Sequence, residues 1–132
     1  MPSRNIKDCH PRLQKAWEHA SKRFSECNKG VEVILTCTHR PDKEQAALYA
    51  QGRTKAGKIV TNAKAGTSKH NKKPSEAFDI AFKKNGKLDW NLAYFHEFYD
   101  YGKEVEPNLR WGANVKNGGS FKTMNDAPHY EI

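Results

Sequence analysis

The segment Glu76–Phe82, read as EAFDIAF, constrains this chain more than any other, because it places an aspartate inside a strand. Phe78, Ile80 and Phe82 point to one face of such a strand; Ala77, Asp79 and Ala81 point to the other. A buried carboxylate without a partner costs several kcal/mol or shifts its pKa. Asp79 therefore demands a cation, a hydrogen-bond network or a metal ion. The alanines on either side of it leave space that a metal or a ligand would fill.

The elements around this strand read as α+β. "DCHPRLQKAWEHASKRFSECNKG" predicts a first helix, with Leu13, Trp17, Ala20, Phe24 and Cys27 at helical spacing as core, Pro11 near its start and Gly30 past its end. "VEVILTCT" predicts a strand, and "RPDKEQAALYAQGR" a short helix opened by Pro41 and Asp42 and ended by Gly52. A long polar loop runs from Arg53 to Ser68. Asn85-Gly86 marks a hairpin turn after the Asp79 strand. "DWNLAYFHEFYDYGKE" predicts a third helix capped by Asp89, with Leu92, Phe95, His96 and Tyr99 on one face and His96 packed or half-buried. Short β or irregular structure follows in "LRWGANV", "GGSFKTMND" and "APHYEI". The expectation is a single small domain over residues 1–132 with an antiparallel sheet and flanking helices.

Bulk properties narrow the function classes. Hydrophobic residues at 36% and aromatics at 11% suffice for one modest core and argue against disorder. The longest apolar run is far short of a membrane span, and "MPSRNIKDCHPRLQ" holds no signal-peptide apolar region, so stable membrane insertion and ordinary export are not expected. Cys9, Cys27 and Cys37 form no CxxC pair and read as three reduced thiols. The net charge of +8 favours a polyanionic partner, either nucleic acid, a membrane surface or cell-wall polymer.

Candidate chemistry clusters around Asp79. His70 lies in the loop before it, and "NDAPHYEI" sets Asp126 three residues before His129. His70, Asp79 and His129 would give three protein ligands with an open fourth position, the arrangement of a catalytic zinc. Asp126 would then be free as a general base. Spacing alone leaves chance pairing among six histidines and fifteen carboxylates as an alternative.

"SKHNKKPSEAFDI" followed by "DAPHYE" resembles the zinc D,D-carboxypeptidase and L-alanyl-D-glutamate endopeptidase family, whose pattern runs SxHxxGxAxD and then a carboxylate–x–x–His. "THRPDKEQAALYAQGRTKAGKIVTNAKAGTSKH" and "RWGANV" are similar to its upstream and closing segments, so the resemblance covers about residues 33–131, in the phage endolysin subgroup. It implies a hedgehog or D,D-peptidase-like fold, zinc held by His70, Asp79 and His129, Asp126 as catalytic base, Arg40 steadying the oxyanion, and Ser68 supporting the loop or substrate. It further implies cleavage of the L-alanyl–D-glutamate bond in peptidoglycan stem peptides during phage-mediated lysis. The enzyme would act as a monomer, without a separate wall-binding domain, held in the host cytoplasm until a holin-type membrane protein admits it to the periplasm and cell wall.

This chain departs from the pattern in three places. The His70–Asp79 stretch is two residues longer, Ser75 stands where the pattern has glycine, and the tryptophan often found before the last carboxylate is missing. Three rival readings compete with the peptidase one: a D,D-carboxypeptidase, a non-catalytic wall-recognition module, and a nucleic-acid-binding domain stacking bases on Trp17, Tyr94 or Trp111.

Overall fold

A computed structural model describes residues 3–59, 64–66, 68–112 and 127–132. Helix α1 (Pro11–Cys27) starts where the His10 ring accepts from the Arg12 amide and proline occupies the first turn. Leu13, Ala16, Ala20 and Phe24 form its buried stripe. Cys27, expected in the core, is exposed at the last turn. The apolar stripe has turned away from the sheet by that position.

Strands β1 (Val31–Cys37) and β2 (Ala77–Lys84) pair antiparallel, and β2 continues through the Asn85-Gly86 turn into the short β3 (Lys87–Leu88). Both turn residues have positive φ, 54° and 77°, which suits asparagine and glycine. Strands β4 (Arg110–Trp111) and β5 (His129–Glu131) complete an antiparallel sheet of order β1-β2-β5-β4. On the edge of β2 away from β1, residues 77–79 pair with β5 and residues 83–84 with β3.

Helix α3 (Leu92–Val105) packs beside α1 under one face of this sheet. Its cap is Asn91, whose side chain accepts from the Ala93 amide, rather than the expected Asp89; Asp89 instead accepts from the Asn91 amide. The buried stripe is Phe95, Phe98, Tyr99 and Gly102. Leu92 and His96, expected on that face, are exposed. Leu92 sits at the first position of the helix, ahead of the packed stripe, and His96 lies at its edge, where it pairs with Asp100 at 3.3 Å. Gly102 lets the buried Leu109 pack closely, since a Cβ there would lie 2.5 Å from Leu109 Cδ2 and push that side chain aside.

Between sheet and helices lies the core. Phe82 packs at 4.7 Å between the rings of Phe24 and Phe95, and Phe78 stacks on Tyr130 at 5.5 Å. The Tyr130 hydroxyl donates to the Phe95 carbonyl at 2.7 Å, so its buried polar end is satisfied. Trp17 packs against Phe78 and Phe98, Tyr94 against Phe24 and Phe82, and Trp111 is buried. Trp111 thus belongs to the core, and Trp17 and Tyr94 are half-buried with ring contacts already made to core phenylalanines.

Candidate metal centre

The other face of β2 carries Asp79, and three neighbouring elements bring their polar residues to it. Strand β1 holds one extra residue opposite β2: Leu35 pairs with Ile80, but Cys37, not Thr36, pairs with Asp79. This bulge moves Cys37 to the aspartate's face, a re-aiming that β-bulges commonly perform beside functional sites. On the other side, Asp79 pairs with His129 and Ala77 with Glu131. The space expected beside Ala77 thus faces a carboxylate from β5, while Ala81 faces Ile34 across β1.

His70 arrives from a 3₁₀ turn, Lys69–Asn71, that is closed by its own side chains. The Ser68 hydroxyl accepts from the His70 amide at 3.2 Å, and Asn71 Oδ1 accepts from the Ser68 amide at 3.1 Å. Ser68 therefore supports the loop. The turn is stitched to the end of β1 by Arg40 N–H to the His70 carbonyl and by Asn71 Nδ2 to the Arg40 carbonyl, both 2.8 Å. Ser75, at the glycine position of the pattern, is fully buried and bonds the carbonyls of Thr38 and Ala77 through its hydroxyl. Lys73 and Pro74, from the lengthened loop, line a cavity of about 350 Å³ with Lys7, Asp8 and His39.

The rings of His70 and His129 lie edge to face, centroids 5.1 Å apart, and converge on one oxygen. His70 Nε2 is 3.1 Å and His129 Nδ1 is 3.0 Å from Asp79 Oδ1. Their outward nitrogens face acceptors: His70 Nδ1 lies 2.7 Å from the Thr38 carbonyl and His129 Nε2 2.8 Å from Glu131 Oε1. Each outward nitrogen must then donate, which leaves each inward nitrogen a lone pair if the ring is neutral. Two lone pairs aimed at one carboxylate oxygen require a cation between them, either two protons or one metal ion. Metal-binding histidines show this arrangement, with the non-ligating N–H held by a carbonyl or carboxylate.

Electrostatics agree. Burial pushes the His70 imidazole down, yet the charge and hydrogen bond of Asp79 outweigh it and raise it to about 10. His129 opposes its burial in the same way through bonds to Asp79 and Glu131 and rises to about 9. Burial would raise the Asp79 carboxyl, but the two rings hold it well below the usual carboxylate range. His70 keeps 3% of its side-chain exposure, His129 11% and Asp79 20%, so the cluster opens to solvent on the aspartate's side.

Arg40 reaches the cluster from the start of helix α2 (Asp42–Ala50). Its guanidinium donates to Gln45, the buried residue of α2, at 2.8 Å and lies 3.9 Å from Asp79 Oδ2. Cys37 makes a second candidate set, since its Sγ, His70 and Asp79 have donor atoms within 4.8 Å of one another. That set is the poorer one. Cys37 Sγ lies 3.6 Å from His70 Nδ1, the nitrogen already committed to Thr38, and accepts from Arg40 Nη2 at 3.5 Å. Asp126, the expected base, lies outside the described residues.

No family model matches the chain. Among curated proteins it is 36% identical to the peptidoglycan L-alanyl-D-glutamate endopeptidase CwlK of Bacillus subtilis (strain 168), over 95% of this chain and 74% of that one. The chain belongs to the zinc D,D-carboxypeptidase and L-alanyl-D-glutamate endopeptidase family. Solved structures share the fold of this family member. The crystal structure of Serratia marcescens L-Ala D-Glu endopeptidase ChiX has a TM-score of 0.66 at 19% identity, covering 100% of this chain and 88% of that chain. A mutant of the vancomycin resistance D,D-pentapeptidase VanY, in complex with Zn(II), has a TM-score of 0.62 at 14% identity, covering 94% and 72%. The α+β architecture expected from the predicted elements, and the D,D-peptidase-like fold implied by the resemblance, are the ones observed.

Two residues of this family member's cluster escaped the sequence reading, Glu131 and Cys37. The i, i+2 spacing of His129 and Glu131 in a strand was the available signal for the first. Cys37 had none, because an ideal ladder would have put Thr36 opposite Asp79.

Proposed function

We propose that this protein is a zinc-dependent peptidoglycan endopeptidase that hydrolyses the L-alanyl–D-glutamate bond of stem peptides, with His70, Asp79 and His129 as the metal ligands. The observation that carries the reading is the convergence of two imidazoles on one Asp79 oxygen while acceptors hold their outward N–H groups. The bond assignment draws its support from the similarity to CwlK. The chemistry such an ion supplies is polarisation of a carbonyl oxygen and acidification of water toward a pKa of ~7.

The protein's own groups do the rest. Asp79 on a central strand gives the cluster a rigid base, and the capped 3₁₀ turn holds His70 against it. Asp126, three residues before His129, takes a proton from the attacking water and passes it to the leaving amine. Arg40, steadied by Gln45, offers its guanidinium to the oxyanion; loss of such a donor typically costs about 10²- to 10³-fold in rate. Ser68 serves by holding His70 in place.

The finer setting is phage-mediated host lysis, by a monomeric catalytic domain. It rests on the likeness of the motif residues to the endolysin subgroup. No helix among the described residues is long and apolar enough to cross a membrane. In the lysis setting that the likeness suggests, a holin-type partner would supply access to the wall.

Mass spectrometry of purified peptidoglycan, incubated with the protein with and without chelator, tests the reaction. New termini between L-Ala and D-Glu, lost with chelator and restored by zinc, are expected. Loss of a terminal D-Ala alone would make the protein a D,D-carboxypeptidase, and no cleavage would refute the enzymatic reading.

A further inference from the structure

Glu131 enters the peptidase reading only as an acceptor for the His129 ring, and it is almost fully enclosed. Its carboxylate keeps 9% of its side-chain exposure. The backbone explains how it comes to be there. His129 and Glu131 are alternate residues of β5 and share a face, and opposite Glu131 stands Ala77, whose methyl leaves room for the carboxylate. The two oxygens have different partners: Oε1 accepts from His129 Nε2 at 2.8 Å, and Oε2 lies 3.6 Å from Arg110 Nη1.

Resting on the ligand set proposed above, we infer that Glu131 is the positioning residue of the metal centre. It fixes the His129 ring so that Nδ1, not Nε2, faces Asp79. An imidazole on a strand has two free torsions, and either nitrogen is a competent ligand. The carboxylate removes that ambiguity by claiming Nε2–H, and its charge makes the opposite nitrogen a better donor. His70 receives the same service from a neutral backbone carbonyl, that of Thr38. The two rings thus differ in the strength of their support, and His129 has the ionic one. Arg110 in turn holds the carboxylate from β4.

The test compares Glu131→Met, which keeps side-chain volume but has no acceptor, with Glu131→Gln, which keeps an oxygen for Nε2–H. Both remove the ion pair with Arg110, so their difference isolates the bond to His129. Zinc affinity of the full chain is measured by competition with a chromophoric chelator. Glu131→Met is expected to bind zinc about 10- to 100-fold more weakly than the parent. Glu131→Gln is expected to bind at least threefold more tightly than Glu131→Met, with melting temperatures of the two chelator-treated variants alike. A Glu131→Met protein within twofold of the parent, or the two variants equal in affinity, would overturn the inference. A parent that binds zinc no better than His129→Ala would instead refute the ligand set itself.

Discussion

The two faces of β2 are one residue apart in sequence and opposite in physics. Phe78, Ile80 and Phe82 are fully buried against α1 and α3, and their contacts are non-directional. On the other side, Asp79 meets His70, His129 and Arg40 within 4 Å, and each contact depends on which atom faces which. The apolar face supplies stability through burial. The polar face concentrates charge and is held in place by that stability. A change on one face should therefore move a different observable from a change on the other.

The sharpest way to break this division is a pair of substitutions three residues apart. Phe82→Ala is expected to cost about 3–5 kcal/mol in denaturant unfolding, a large share of the ~5–15 kcal/mol of an ordinary domain. Asp79→Asn is expected to keep a cooperative transition but lose zinc binding at least about 100-fold and activity with it. If Asp79→Asn unfolds like Phe82→Ala, the faces are not separable and the comparison fails.

A pH series on chelator-treated protein sharpens the contrast. Folding raises the pKa of His70 to about 10 and of His129 to about 9, from 6.5. Their stabilising contribution is thus complete below pH 6.5 and disappears as pH climbs through 9 and 10. Asp79 is shifted downward, so its contribution is present above the ordinary carboxylate range and is lost only in stronger acid. Denaturant midpoints should fall between pH 6.5 and 10, and the decline should vanish in Asp79→Asn. An unchanged decline in that variant would place its source elsewhere.

The smallest effect concerns Thr38, which is fully buried and whose hydroxyl has no hydrogen-bond partner among the described residues. Leaving such a group unpaired costs about 1–3 kcal/mol. Thr38→Val should raise stability by about 1 kcal/mol in thermal or urea melts and leave zinc affinity unchanged, because only the Thr38 backbone carbonyl touches His70. A loss of stability would mean that the hydroxyl is satisfied after all.

Much of the site could be read from sequence because its key residue breaks a local pattern. An aspartate within alternating apolar residues has no cheap explanation, so Asp79 marked the site, while the choice of His70 and His129 as its partners came from the family resemblance. Helix α1 was equally legible, since Pro11 and the stripe from Leu13 to Phe24 are local signals. The start of α3 was not. Asp89 and Asn91 are both good caps, and the choice between them follows from the hairpin that delivers the chain to the helix.

Sequence alone thus determined the periodic elements and marked Asp79 as the centre of a site, since both are legible within short segments. Tertiary structure decided everything that depends on register. The extra residue in β1 brought Cys37 beside Asp79, and the pairing of β5 with β2 set Glu131 behind His129. Register is set by how two strands distant in sequence settle their buried faces together, so a shift of one residue exchanges core for site. No local signal in β1 carries that information, and the spacing of His129 and Glu131 in β5 gives their shared face but not its partner strand.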